Sequence, residues 1–365
     1  MIWATAIALA VLAAQSNSPV ETSHPNDGAA LLRIGKTLEE DNRPREALQP
    51  LTEAVRLLPR SAEAHNALGE ALSDLNSLKP AQREFEKALQ LAPALPLAHL
   101  NLGMVLAQTG DLAPAAGHLD FAIAKLSRSE DLARAHYLRA KVYTDLSQVE
   151  RASSELHVAV KLEPEFAEAW SDLGQARKML LDDAGALAAF ERAVALSPND
   201  PVALARLGVE LYREGKIKEA ITELEKAAAV NPNDQTTLNT LQSALRADGQ
   251  MSAANEVKGR LVEVLRERDK NTQNQLSAAR LNKEGAEMEK SNDVKGAVEK
   301  YRQALQLDAE SVGIRVNLAT ALLRLSEWNE GLSQLSEAMR RQPGDAALQA
   351  LWDKAVRQAP PGSWK

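Results

Sequence analysis

AEAWSDLGQARKMLLDDAGALAAFERAVALSPND, residues 167–200, decides the fold, because its skeleton returns along the chain. Trp170, Leu173, Gly174, Ala186, Phe190, Ala193 and Pro198 are followed, 34 residues later, by Leu204, Leu207, Gly208, Ala220, Leu224, Ala227 and Pro232. Within 167–180 the apolar residues fall at helical spacing, and Gly174 lets a neighbouring helix come close. This segment predicts a helix A. A second helix, B, follows from about Gly185 with Ala186, Phe190 and Ala193 on one stripe, and Pro198 ends it. A lone pair of such helices cannot bury enough apolar surface to offset the entropy of ordering its backbone. The copies must therefore stack as a contiguous array.

The same slots can be followed in both directions. Repeat one (28–61) has Gly35, Ala47, Leu51, Ala54 and Pro59; repeat two (62–95) has Gly69, Ala81, Phe85, Ala88 and Pro93; repeat three (96–129) has Gly103, Ala115, Leu119 and Ala122. Glu130 to Leu132 lengthen a loop before repeat four (133–166), which carries Tyr143, Ala152, Leu156, Ala159 and Pro164. Repeats five and six are 167–200 and 201–234. The period and the order of large and small residues resemble the tetratricopeptide repeat (TPR). That resemblance implies an all-α, right-handed α-solenoid of helix-turn-helix repeats, with the A helices lining a concave face.

After Asp234 the pattern decays, with Lys258 where a large apolar side chain is expected and an almost wholly polar run at 266–275. Residues 251–290 read either as one long helix with an exposed middle, joining repeats seven and eight, or as a flexible linker. The array proper is thus 28–250, and repeats eight and nine occupy 278–345. Residues 346–358 predict a capping helix whose buried side is Leu348, Leu351, Trp352 and Val356, followed by a tail at 359–365.

Residues 2–14 are uncharged and apolar, and the chain then turns polar, which resembles a secretory signal peptide cleaved near Ala13 or Ala14. Thirteen apolar residues fall short of the roughly 20 of a membrane-crossing helix. The expectation is an exported protein, periplasmic or extracellular, with a lead-in at 15–27; the alternative is a membrane anchor if the segment is retained. No Lys or Arg precedes the apolar run, a departure from the usual pattern. The net charge of −7 gives no global attraction to nucleic acid. The absence of cysteine removes thiolate nucleophiles and cysteine-based zinc sites.

Little in the chain reads as chemistry. Gly35-Lys36-Thr37 lacks the earlier glycine of a phosphate-binding loop, since Ala30 stands there, and it lies inside a predicted helix. His65, His99 and His136 share the fourth position of their repeats. They read as a metal-binding ladder or, more plainly, as half-buried rings of the kind Trp170 supplies in repeat five. His118 and His157 read as solvated. No cofactor, metal or catalytic residue is predicted, and the expected function is a non-enzymatic scaffold.

The TPR resemblance implies that ligands touch positions two, five, six, nine, twelve and thirteen of each repeat. In repeats four to six these include Arg134, Tyr137, Lys141, Asp145, Glu168, Asp172, Gln175, Lys178, Arg206, Tyr212 and Arg213. The candidate peptide-binding residues are Arg134, Tyr137, Lys141, Gln175, Lys178, Arg206, Tyr212 and Arg213. Repeat two places Glu63, Glu70 and Asp74 in the same slots, so the face changes sign along its length. The slots then either receive an extended, acidic segment of a partner protein in the middle of the array or form an ordinary solvated face. The carboxylate clamp of chaperone-binding TPR domains is not predicted, because only Arg206 matches its residues. An asparagine ladder would need asparagine at position six repeatedly, and Asn101 and Asn317 supply it where Asp172 and Arg206 do not. Two narrower alternatives are a cell-envelope assembly or biogenesis factor and the regulatory array of a transferase-type enzyme.

Overall fold

The computed structural model describes residues 27–360 and residue 362. The expected signal segment at 1–14 and nearly all of the lead-in lie outside the described residues, as does most of the tail beyond Pro360. Among the described residues there are eighteen helices and no strand. They are α1 (Gly28–Glu40), α2 (Pro44–Leu57), α3 (Ala62–Asp74), α4 (Leu78–Leu91), α5 (Pro96–Thr109), α6 (Leu112–Lys125), α7 (Ser129–Asp145), α8 (Val149–Leu162) and α9 (Ala167–Met179). There follow α10 (Asp183–Leu196), α11 (Pro201–Arg213), α12 (Ile217–Val230), α13 (Gln235–Ala247), α14 (Met251–Lys290), α15 (Val294–Leu307), α16 (Val312–Arg324), α17 (Trp328–Arg341) and α18 (Ala346–Gln358). No helix among the described residues is long and apolar enough to cross a membrane.

Local chemistry sets the boundaries. The Asp200 side chain accepts from the amide of Val202 and Pro201 opens the first turn of α11. Asp182, Ser61 and Asp234 cap α10, α3 and α13 in the same way. The A-to-B corners turn through left-handed residues, which Gly110, Gly215, Gly249, Asn42, Asn76 and Asn292 supply at little cost. Ser147, Leu181 and Ser326 depart from this rule in repeats four, five and nine; Leu181, at φ +63°, is 86% exposed, and nothing in the structure explains the choice.

Most hairpins are held by a close approach of a B-helix side chain to a glycine of the A helix. A Cβ on Gly174 would stand 2.6 Å from the ring of Phe190, so only glycine admits the ring. The same pair recurs sixteen positions apart as Gly69 with Phe85, Gly208 with Leu224 and Gly285 with Tyr301. Neighbouring hairpins then share apolar surface, with Phe190 meeting Leu207 and Leu211 of the next repeat in one cluster. The A helices of most successive repeats pack on one another, α1 on α3, α3 on α5, α5 on α7, α9 on α11 and α11 on α13, and this draws one side of the array together as its concave face.

In repeat seven the glycine and ring are replaced by Gln242 and Lys258, and Lys258 is exposed. Residues 251–290 are one continuous helix of 40 residues, about 60 Å long. One core ends at Leu261, Val264 and Leu265, the next begins at Ala278, and no side chain between Arg266 and Gln275 is buried. At the C-terminal end, α18 buries Leu348 and Ala355, while Leu351, Trp352 and Val356 are half-buried beside Leu332 and Leu335. A bare solenoid end would leave those leucines facing water.

Candidate binding groove

The fourth position proves to be an anchor in repeats two, three, five and nine. Nε2 of His65 and of His99 lie 3.3 and 3.0 Å from the carbonyls of Pro59 and Pro93, and the indole of Trp170 donates to Pro164 at 3.0 Å. Arg315 donates to the Ala309 carbonyl at 2.6 Å from the same slot. Each side chain thus ties its A helix to the corner preceding it. The other histidine nitrogen turns to the B helix of its own repeat, reaching Glu84 from His65 at 2.6 Å and Glu155 from His136 at 2.7 Å. These bonds occupy the rings within separate repeats, so the three histidines do not converge as a ladder. His118, expected to be solvated, is half-buried: its Nδ1 lies 2.8 Å from Nδ1 of His99. Burial, then the neighbouring His99, holds it below the ordinary imidazole range. His157 is exposed.

Glu155 gathers a small network beneath α7. Burial alone would raise its pKa, but hydrogen bonds from His136 and from Arg139, at 2.8 Å, outweigh burial and lower it. Arg139 also binds Asp120 at 2.6 Å, joining repeats three and four.

The concave face is stitched by bonds between position five of one repeat and position six of the next. The Asn101 amide donates to Asn66 at 3.3 Å and Asn317 to Asn282 at 2.9 Å. The Tyr137 hydroxyl donates to Asp172 at 3.1 Å, and Arg206 donates to Ser171 at 2.8 Å and to Asp172 at 2.7 Å. Burial and then Asp172 push the Tyr137 phenol above its ordinary range. The ring of Tyr137 also packs on Phe166 at 4.8 Å, with the Lys141 ammonium 5.6 Å from its centroid.

The candidate residues therefore divide. Lys178 lies 2.9 Å from the Glu210 carboxylate, which is 1% exposed. That carboxylate oxygen lacks an aligned hydrogen bond, so the contact is a charge pair. Arg206 is held by Asp172, Tyr137 is committed to the same carboxylate, and Tyr212 packs against the core of repeats six and seven. Arg134 is exposed and touches the Met104 sulfur at 3.5 Å. Lys141 and Arg213 are exposed without a carboxylate partner among the described residues, and Gln175, on α9, is half-buried. Arg246, at position twelve of repeat seven, adds a further exposed cation that sequence reasoning passed over because the pattern decays there.

Sequence reasoning also missed Asn66, Ser171, Glu210 and Glu39. For Asn66 and Ser171 the missing signal is the 35-residue spacing between positions five and six of adjacent repeats, which becomes visible only once the stacking register is known; Glu39 and Glu210 occupy other slots, Glu210 meeting Lys178 across a 32-residue spacing.

At the first two repeats the face is acidic. Glu39 is pushed up to about 7 by burial, then by Asp74 and Glu70, and its buried Oε1 has no hydrogen-bond partner. Glu70 is raised by burial, although Asn101 and Asn66 donate to it at 2.7 and 3.0 Å. Lys36 pairs with Glu63 at 2.6 Å at the exposed edge. An acid raised above its unfolded value stabilises the fold while protonated and gives that up as pH rises, here between its ordinary value of 4.5 and about 7. Partial exposure screens the effect to about 1 kcal/mol. Wild-type protein should therefore melt a few degrees lower at pH 8 than at pH 5, with most of that difference gone in Glu39→Gln. An equal pH slope in the variant would assign the effect elsewhere.

Comparison with known proteins bears on this geometry. Two family models, each described as Tetratricopeptide repeat, match residues 184–245 and 289–354 and residues 32–96 and 137–201. Among solved structures, PilF of Pseudomonas aeruginosa is 17% identical at a TM-score of 0.52, covering 58% of this chain and 95% of its own. PilW, described as a widely conserved type IV pilus biogenesis factor, is 17% identical at a TM-score of 0.52, covering 60% and 98%. YrrB, described as a TPR protein with an unusual peptide-binding site, is 22% identical at a TM-score of 0.41, covering 52% and 96%. No curated protein matches the chain significantly.

Proposed function

Because the chain belongs to the tetratricopeptide-repeat family, we propose that it is a non-enzymatic scaffold whose concave face holds one extended segment of a partner protein. The observation that carries this reading is the division of charge on that face. Glu39, Glu70 and Asp74 crowd the first two repeats, where burial and then the neighbouring carboxylates of Asp74 and Glu70 raise Glu39, so that this end of the face favours positive charge. Lys141, Arg213 and Arg246 are exposed on the A helices of repeats four, six and seven without a carboxylate partner among the described residues. Lys178 and Arg206 are withdrawn from any ligand by Glu210 and Asp172. The matching occupant is an extended polypeptide that presents basic residues to the first repeats and acidic residues to the middle ones.

Electrostatic complementarity of this kind selects partners and speeds encounter, and it weakens as salt is added. A labelled synthetic peptide with lysines at one end and glutamates at the other should bind in fluorescence anisotropy more tightly than an uncharged peptide of equal length. Lys141→Glu combined with Arg213→Glu should lower its affinity about tenfold, equivalent to about 1.4 kcal/mol. Equal binding of the two peptides, or of the peptide to wild type and variant, would overturn the reading.

A further inference from the structure

The corner before α18 brings the far end of the array onto its beginning. Gly344 there has φ +72°, whereas the residues at the equivalent corners, such as Asn199 and Asn233, stay out of the left-handed region. A Cβ built on Gly344 would lie 2.4 Å from Cδ2 of Leu72 and 3.2 Å from Cβ of Pro80. The backbone at 344 therefore rests on the A-to-B corner of repeat two and has no room for a side chain. Repeat two shows the covering. Pro80 is buried, while Glu46, Pro114, Arg151 and Glu219 in the same slot of other repeats are exposed. Ser77, in the same corner, is 4% exposed, while Arg43, Asp111, Asp182 and Lys216 in its slot are exposed.

Two features make this contact separable. It sets the backbone of one glycine on the apolar side chains of a leucine and a proline. The block that carries it, repeats eight and nine with α18, follows α14, whose stretch from Arg266 to Gln275 has no buried side chain. Within that stretch Arg268 donates to Gln235 at 3.0 Å, a single exposed bond back to repeat seven. A helix bared over about three turns has no packing to resist bending.

We propose that the Gly344 corner is a latch that closes the array into a collar around its concave face, and that the bare middle of α14 flexes when the latch opens. On the groove reading above, which this gating role rests on, the open state admits an extended segment from the side and the closed state retains it. The closure itself stands apart from that reading and is tested without any ligand.

The chain has no cysteine, so paired cysteines report on the latch directly. The 3.2 Å Cβ separation at Pro80→Cys with Gly344→Cys is close to the about 3.5–4.5 Å of a disulfide. Oxidation at low protein concentration should convert most of this variant to an internally crosslinked monomer that migrates faster on a non-reducing gel. Pro114→Cys with Gly344→Cys, one repeat further along, should give several-fold less internal product. Equal yields from the two pairs, or no internal product from the first, would overturn the closure. In an otherwise unaltered chain, Gly344→Arg must displace Leu72, and small-angle scattering should show a larger radius of gyration with helical content retained. An unchanged radius would overturn the opening motion. If both tests succeed and the charged peptide binds neither variant, the latch stands and the groove reading falls.

Discussion

Phe190→Ala is expected to cost the array about 3–5 kcal/mol, the range for removing a buried aromatic ring from a core that cannot collapse around the gap. The ring is 1% exposed and lies against Gly174, where the absence of a Cβ fixes the spacing of α9 and α10. Neither helix can close the void without shifting the hairpins on both sides. In a stacked array stability is carried by each unit and its nearest neighbours, so repeat five should fail together with repeats four and six. Urea denaturation followed by circular dichroism should show a lower midpoint and a broader transition. Leu181→Ala, at an exposed leucine of the same repeat, should move the midpoint little in comparison. Equal shifts in the two variants would mean that Phe190 does not join neighbouring hairpins.

The second large effect is expected at Lys178, and it separates two roles for one residue. By slot Lys178 is a groove cation, yet its side chain is only 20% exposed and faces the Glu210 carboxylate, which is 1% exposed. Removing one partner of a buried pair strands the other, at a cost of about 3–5 kcal/mol. Lys178→Ala should lose that much in chemical denaturation, whereas Lys178→Met combined with Glu210→Leu, which removes both charges and keeps the volume, should recover most of it. A stable Lys178→Ala that fails to bind the charged peptide would return Lys178 to the ligand contacts.

Lys178 and Arg206 show why a groove is harder to read than a fold. Position in the repeat places a side chain on the concave face, but its availability depends on the neighbouring repeat. Glu210 and Asp172 neutralise these two cations, while Lys141, Arg213 and Arg246 find no such partner among the described residues. The histidines teach the same lesson. Their common slot was plain, but the carbonyls and carboxylates that occupy them come from other turns of the chain.

The order of residues alone determined the helical hairpins and their register, because caps, corner glycines, terminating prolines and the glycine-to-ring pairs act within one repeat. It also marked the decay of the pattern near Lys258, where that pair is lost and α14 runs on. Tertiary structure alone decided which groove charges are spent inside the protein and which remain exposed. It alone brought Gly344 onto Leu72 and Pro80. The physical reason is one of range. Hairpin packing is a short-range matter repeated many times, whereas charge pairing between repeats and the meeting of the two ends depend on the summed curvature of the whole stack, which no single repeat encodes.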